Sequence, residues 1–361
     1  MGGIEMKRFF SDGSYKKDLR VYSEGVLEKY GISTPTAERE IMYMSDSGNT
    51  VTSKLYADLI FNRKILRRYP YREAFELYKR SAGISISESG EWQCSGVSYP
   101  LAFWEIGYYL VNYRNSSFLK KCEDIPEIDA MSHTERLETA FELSTACIRN
   151  VDSAAAVNLI ARILSEASEK EELFKRLQPV FKEELGEPLF QELYPGACDC
   201  ETMEGCAATA ESFFEAAARE GYVYACNNLA AREAERAVAI GGESPDSSEL
   251  KEVVEAYVRH LKSSADRYEP YAANRLGLFY VTGEISGTSG KIVCKNYVNR
   301  SVAREYFLKA TVYPDTNSAW AFFNLIKYFQ KDFDDDIEKM NEYMDYIKEL
   351  NQQVYDLAME L

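Results

Sequence analysis

Residues 224–230 read Tyr-Ala-Cys-Asn-Asn-Leu-Ala, and residues 271–277 read Tyr-Ala-Ala-Asn-Arg-Leu-Gly, which align without gaps. In both stretches an alanine stands four residues before a large apolar residue, and a small residue follows it. This is the spacing of one helix face, with a small residue where a neighbouring helix can approach closely. We name this helix A and call its large apolar residue the anchor. Further copies lie at residues 102–107, 155–160 and 321–326, with a degenerate copy at 52–57.

A second pattern of nine residues alternates with helix A along the chain. It starts with alanine, places apolar residues three and four positions later, and ends in two small residues. Apolar or small residues at i, i+3, i+4, i+7 and i+8 form one face of a helix. We name this helix B. Its strongest copies are residues 74–82, 210–218 and 303–311, and its weaker copies are residues 37–45, 140–148 and 257–265.

The two patterns together predict a repeat protein. The helix A anchors are 47 to 70 residues apart, so the helices recur while the loops vary in length; they are Tyr56, Ile106, Leu159, Leu229, Leu276 and Leu325. One helix pair cannot bury its apolar face alone, whereas stacked pairs bury a shared core. Because the helical period fills residues 35–330, we expect an all-α fold with essentially no sheet, which circular dichroism would test.

Residues at the junction of the two helices resemble the Sel-one-like repeat, a relative of the tetratricopeptide helix pair. The residues that carry the resemblance are Ser47, Gly48, Asn49, Thr52, Tyr56, Ala57, Glu220, Gly221, Ala225, Asn228, Leu229 and Ala230. The resemblance covers about residues 35–330 and is strongest over 206–313. It implies a right-handed superhelical solenoid of antiparallel helix pairs, a fold used for binding proteins.

The repeat pattern also indicates how the chain is divided. We expect an N-terminal cap segment at residues 1–34, helical repeats at 35–330, and a C-terminal capping helix at 331–361, whose stripe of apolar residues faces the repeats. Segments 84–98, 114–132 and 283–298 are predicted loops. The largest insertion spans residues 167–205, and its part from Glu169 to Leu185 is predicted to form an extra helix.

Composition limits the classes of partner. The chain has 361 residues, with 58 acidic and 42 basic side chains and a net charge of −16. Such an acidic surface repels nucleic acid and anionic membranes. No apolar N-terminal signal segment is visible, and no apolar run reaches 18 residues. The eight cysteines have no regular disulfide spacing, so we expect a protein of the reducing bacterial cytoplasm.

The position before the anchor contains the candidate ligand-binding residues. In tetratricopeptide-like proteins this position faces a concave groove, and an asparagine amide there can both donate to and accept from a peptide backbone. The alternative is that these side chains bond the neighbouring repeat. The residues at this position are Glu105, Asn158, Asn228, Arg275 and Asn324. Trp104 and Tyr108 are predicted to make apolar contacts with the ligand. The basic stretch from Arg63 to Arg72 favours a ligand with an acidic end.

Two other sequence patterns give only weak evidence of a binding site. Residues 283–291 superficially resemble a phosphate-binding loop, but Ile285 stands where a glycine is required and Ile292 replaces the magnesium-binding Ser or Thr. Cys198, Cys200 and Cys206 would give only three of the four ligands that zinc requires. We therefore expect neither a bound cofactor nor a stoichiometric metal.

The expected function is a non-catalytic scaffold that binds a protein or peptide in its concave face. Since only two histidines occur and no nucleophile with a base is recognisable, we expect no enzyme activity. Two alternatives are open. One is a peptide-sensing regulator that changes curvature when it binds, and the other is an enzyme with an active site in the groove.

Overall fold

The computed structural model describes residues 34–62, 65–87, 92–94, 98–114, 119, 122–194, 200–243, 247–313, 317–332 and 337–361. These residues form seventeen α-helices and two short β-hairpins, so the all-α prediction is confirmed. The predicted N-terminal cap lies almost wholly outside the described residues. No described helix is both long and apolar enough to cross a membrane.

The twelve helices that the two patterns predict are all present and alternate along the chain. The B helices are α1 (Thr34–Asp46), α3 (Pro70–Ala82), α6 (His133–Asn150), α10 (Met203–Arg219), α12 (Ser248–Ala265) and α14 (Arg300–Ala310). The A helices are α2 (Thr50–Phe61), α4 (Leu101–Asn112), α7 (Ala154–Ser168), α11 (Val223–Glu243), α13 (Pro270–Thr282) and α15 (Ser318–Tyr328). The insertions and the C-terminus add α5 (Pro126–Asp129), α8 (Glu171–Leu185), α9 (Pro188–Leu193), α16 (Ile337–Leu350) and α17 (Gln352–Ala358).

Each of the first five A helices packs most extensively against the B helix that follows it. The closely packed pairs are α2 with α3, α4 with α6, α7 with α10, α11 with α12, and α13 with α14. In α4 and α13 a glycine after the anchor lies at this contact. Gly107 of α4 lies against the Ala140 carbonyl and the Ser144 hydroxyl of α6, and Gly277 of α13 lies against the ring of Phe307 of α14. The structural repeat is therefore A followed by B.

The helix starts are fixed by side-chain caps. Ser132 and Glu135 form a reciprocal capping box at α6, and Ser247 accepts a hydrogen bond from the Leu250 amide at the start of α12, as its position in the sequence predicts. Within the long insertion the extra helix occurs as α8, and Gly186 caps its C-terminus. This helix packs against α6 and α7.

Two segments predicted as loops contain β-hairpins. Strand β1 (Ile84–Ile86) pairs with β2 (Trp92–Cys94), and β3 (Glu284–Ser286) pairs with β4 (Lys291–Val293), both antiparallel. Each hairpin follows a helix-ending glycine with positive φ, Gly83 or Gly283, which turns the chain at low cost. In β1 and β3 isoleucine then alternates with polar residues, which allows a short strand, and Ile285 is completely buried.

The chain forms two compact units that divide between Gly221 and Tyr222. The C-terminal unit has a continuous core from α11 to α17, in which Phe279, Phe307 and Phe322 are central. Its last segment is two helices, not one, because Asn351 ends α16 and caps α17 by accepting from the amides of Gln353 and Val354. Ile347 and Val354 are buried there, whereas Ile337 is exposed.

Candidate functional site

The residues before the anchors occupy two kinds of environment. Glu105, Asn158 and Asn324 are buried, whereas Asn228 and Arg275 are half-buried. The two half-buried side chains are accessible to a ligand, whereas the three buried ones are largely shielded from solvent.

A buried charged cluster joins the first two A helices. The Lys54 ammonium of α2 donates to both oxygens of Asp58, at 3.0 and 3.2 Å, and to Glu105 of α4, at 2.9 Å. Tyr78 of α3 donates its hydroxyl hydrogen to Asp58 at 2.8 Å. Glu105 therefore connects two successive A helices.

Burial determines the electrostatics of this cluster. It raises the pKa of Glu105 to about 7; the Lys54 charge opposes that shift and the Asp58 charge adds to it. Burial by itself lowers the pKa of Lys54, but the two carboxylates outweigh it and the net pKa is raised. Lys54 therefore stays protonated, and because it already neutralises Asp58, Glu105 is the group that takes up a proton near neutral pH.

The same position joins the last two A helices. The Asn324 amide of α15 donates to the Asn274 oxygen of α13 at 2.9 Å, and both side chains are buried. In both cases the residue before one anchor reaches the residue two before the preceding anchor, Lys54 or Asn274. We call these two contacts the inter-repeat bonds.

Arg275 binds a strand of its own chain. Its guanidinium donates to the Ser286 carbonyl of β3 at 3.1 Å. On the other side, Glu235 of α11 accepts hydrogen bonds from the Thr288 amide and from the Ser289 hydroxyl, the latter at 3.1 Å. The hairpin is thus held across α11 and α13. Its turn amide is taken by a carboxylate, which is unfavourable for a phosphate group.

Trp104 and Tyr108 lie together on α4 and are half-buried. Their rings meet edge to face with centroids 6.2 Å apart, and Tyr108 also contacts Phe61 of α2 at 6.3 Å. In the basic stretch nearby, Arg67 is paired with Glu73 at 3.6 Å, and two positions, 63 and 64, are outside the described residues.

The structure also shows a feature that the sequence reasoning missed. Tyr224, Tyr271 and Trp320 each stand five residues before an anchor, in the first turn of α11, α13 and α15. Tyr271 and Trp320 are each 40% exposed, and Tyr224 is half-buried. We call these three side chains the aromatic row. The sequence alone contains a sign of this row, because the two aligned stretches, residues 224–230 and 271–277, both begin with a tyrosine.

Local contacts hold the aromatic row in place. Tyr222 packs edge to face on Tyr224 at 5.5 Å, and Phe323 on Trp320 at 5.9 Å. The buried carboxylate of Glu269 caps α13 by accepting from the Ala272 amide at 2.7 Å, and it also accepts from the Asn227 side chain of α11 at 3.2 Å. Glu269 therefore ties the first turn of α13, which carries Tyr271, to α11.

The cysteine cluster has the character of a buried thiol pair. Cys200 and Cys206 are buried, and the hydrogen bond between them, together with burial, raises the pKa of the Cys206 thiol. Among the described residues, no group of three or more potential metal-ligating side chains occurs, and Cys198 lies outside them.

Comparison with known proteins gives structural matches only. No protein-family model and no curated protein matches the chain. A protective antigen of uropathogenic Escherichia coli with an SLR fold matches with 15% identity and a TM-score of 0.30, over 93% of this chain and 69% of that one. A Sel1 repeat protein from Oxalobacter formigenes matches with 15% identity and a TM-score of 0.34, over 99% and 91%. These descriptions refer to the type of repeat that the sequence resembles.

Proposed function

We propose that the protein is a non-catalytic scaffold that binds a peptide or a protein segment along the A helices of its C-terminal unit. The aromatic row is the observation that carries this proposal. Three large side chains recur at one repeat position, and two of them are 40% exposed. Tyr and Trp in partly exposed positions are typical of the residues that dominate protein interfaces.

Core packing does not require an aromatic residue at this position. The next residue in each helix is a buried alanine, Ala225, Ala272 or Ala321, and it already fills the contact. The corresponding residues of the N-terminal unit are Val51, Leu101 and Ala154, which are smaller and aliphatic. The change to aromatic side chains in three successive repeats therefore supports a binding surface.

Polar side chains stand one helical turn beyond the aromatic row. Asn228 follows Tyr224 by four residues, and Arg275 follows Tyr271 by four, which places each pair on one helix face. Arg275 donates to a backbone carbonyl of β3 through one nitrogen, and a guanidinium has five N–H donors, so we infer that the others serve a bound chain. The aromatic row provides apolar contacts next to polar groups that can bind a backbone, and this combination is suited to an extended peptide.

The first test uses peptides selected by phage display against the purified protein. We expect the double variant Tyr271→Ala/Trp320→Ala to bind a selected peptide at least about 30-fold more weakly, because interface hot spots contribute 2 kcal/mol or more. Tyr43→Ala/Tyr69→Ala removes two exposed tyrosines of the N-terminal unit and serves as the matched control. Equal affinity of both double variants, measured by isothermal titration calorimetry, would contradict the proposal.

A second test concerns the polar residues of the same surface. We expect Asn228→Ala/Arg275→Ala to weaken peptide binding by about 2 kcal/mol or more. Because Arg275 also bonds the Ser286 carbonyl, the variant should lose about 1–3 kcal/mol of stability as well, but it should still fold. If this variant melts early and still binds at full affinity, the two side chains serve the packing of the repeats and the hairpin instead.

The proposal also places the protein in a reducing compartment. None of the seven cysteines that the structure describes is joined to another of them by a disulfide, and Cys206 and Cys226 are buried. Alkylation of the denatured protein from cell extract, followed by mass spectrometry, tests this placement.

A further inference from the structure

An open cleft lies beside α12, which is a B helix of the C-terminal unit. It has a volume of about 450 Å³, which is within the usual size range of ligand sites. One wall is a face of α12, and the other is formed by Tyr280, at the end of α13, and Tyr297. Val258, a residue of α12, also lines the cleft. The cleft is therefore apolar and aromatic inside.

Neighbouring rings fix the aromatic wall in place. Tyr280 is stacked on Tyr306 of α14, with ring planes 4° apart and centroids 5.7 Å apart. Tyr297 packs against Phe279 at 5.4 Å. Partial burial raises the pKa of Tyr280 and of Tyr297, so both hydroxyls stay neutral at physiological pH. A flat apolar group can thus enter the cleft without rearranging the wall.

The acidic side chains around the cleft have ion-pair partners, whereas the basic side chains have none among the described residues. Its two acids have partners outside it, because Asp266 pairs with Lys309 at 2.7 Å and Glu255 approaches Lys251 at 3.9 Å. Its two bases, Arg259 and Lys262, are exposed, and their side chains form no hydrogen bond or ion pair with any residue the structure describes. In a chain of net charge −16, the cleft therefore presents two unpaired positive charges beside an aromatic wall.

We propose that this cleft binds a partner peptide through an aromatic side chain adjacent to a carboxylate. The ring lies against Tyr280, Tyr297 and Val258, while the carboxylate pairs with Arg259 and Lys262. The planar Arg259 guanidinium suits a carboxylate in two-point contact. Glu255 and Asp266 stand at the two ends of this face of α12 and repel further negative charge, so a single carboxylate fits better than a polyanion.

The test uses N-acetylphenylalanine as the probe, with N-acetylphenylalaninamide as the uncharged control. Binding is followed by the methyl NMR signals of Val258, assigned with Val258→Ile. We expect saturable shifts with the acid and at least about fivefold weaker binding of the amide, since a charge-assisted bond contributes more than a neutral one. Arg259→Gln/Lys262→Gln should reduce the affinity for the acid to the same degree.

Two variants serve as controls. Lys175→Gln/Lys331→Gln removes the same net charge at exposed positions that do not line the cleft and should bind the acid as the wild type does. Tyr271→Ala/Trp320→Ala should also bind it normally, which separates this cleft from the aromatic row. Absence of saturable Val258 shifts, or equal binding of acid and amide by the wild-type protein, would overturn the proposal whether or not the variants fold.

Discussion

Buried polar side chains connect neighbouring A helices at single, identifiable positions. Glu105 reaches Lys54 and Asn324 reaches Asn274, in each case from the residue before one anchor to the residue two before the previous anchor. A buried polar atom that loses its partner costs about 1–3 kcal/mol. These contacts therefore require a fixed register between successive repeats.

Glu105 should make the stability of the protein depend on pH. Its pKa in the folded state is about 7, above the usual value of 4.5, because it is buried. Between these values the folded state binds the proton more tightly, so the free energy of unfolding should fall as pH rises from 4.5 to 7. Glu105→Gln removes this titrating group. The fall in the free energy of unfolding between pH 4.5 and 7 should therefore be about 1–3 kcal/mol smaller in this variant.

The measurement is urea unfolding at pH values from 5 to 8. Glu172→Gln is the matched control, because Glu172 is on the surface of α8 with its side chain 90% exposed. The control should keep the wild-type slope. An unchanged slope in Glu105→Gln would show that Glu105 is ionised throughout this range.

Asn274 and Asn324 should be energetically coupled. Replacing either by alanine leaves the other buried without this partner and should cost about 1–3 kcal/mol. The double variant should cost less than the sum of the two, with a coupling of about 0.5–3 kcal/mol. Asn341→Ala, at an exposed position of α16, should change the free energy of unfolding little. Additive costs in chemical denaturation would mean that the inter-repeat bond contributes nothing.

At the scale of the helix, the glycine after the anchor of α13 allows this helix to approach α14 closely. A Cβ atom added at Gly277 would lie 2.5 Å from the ring of Phe307, which is far too close. The position is completely helical, so the glycine is needed for packing and not for its backbone freedom.

Gly277→Ala should therefore destabilise the C-terminal unit by about 1–3 kcal/mol, the usual cost of overpacking. Gly242→Ala is the matched control, since nothing lies within 4 Å of a Cβ added to that helical glycine. Alanine there should stabilise the helix by up to about 1 kcal/mol. Thermal unfolding distinguishes the two, and a neutral Gly277→Ala would show that α14 can move away without cost.

At the scale of the whole molecule, the net charge of −16 limits the partners. Nucleic-acid binding needs several unpaired cations along one surface, because counterion release supplies most of its affinity. The two unpaired cations of the cleft have acidic residues on either side. We expect no retardation of a double-stranded DNA fragment in a native gel at low salt; retardation that disappears on adding salt would contradict this.

The sequence by itself determined the helices and their order, because the 3.6-residue period and the caps are local properties. The twelve A and B helices, the extra helix before Gly186 and the Ser247 cap could all be predicted from short segments. The two hairpins were missed, since their strands are only three residues long and carry too little periodic signal.

Only the tertiary structure decided what each side chain of an A helix contacts. Asn228 and Asn324 stand at the same repeat position, yet Asn324 is buried against Asn274 and Asn228 is half-buried. The aromatic residues one turn before Arg275 and Asn324, which are Tyr271 and Trp320, are each 40% exposed. The physical reason is that helical periodicity defines a face, whereas the partner of that face depends on packing between residues about 50 positions apart in the sequence.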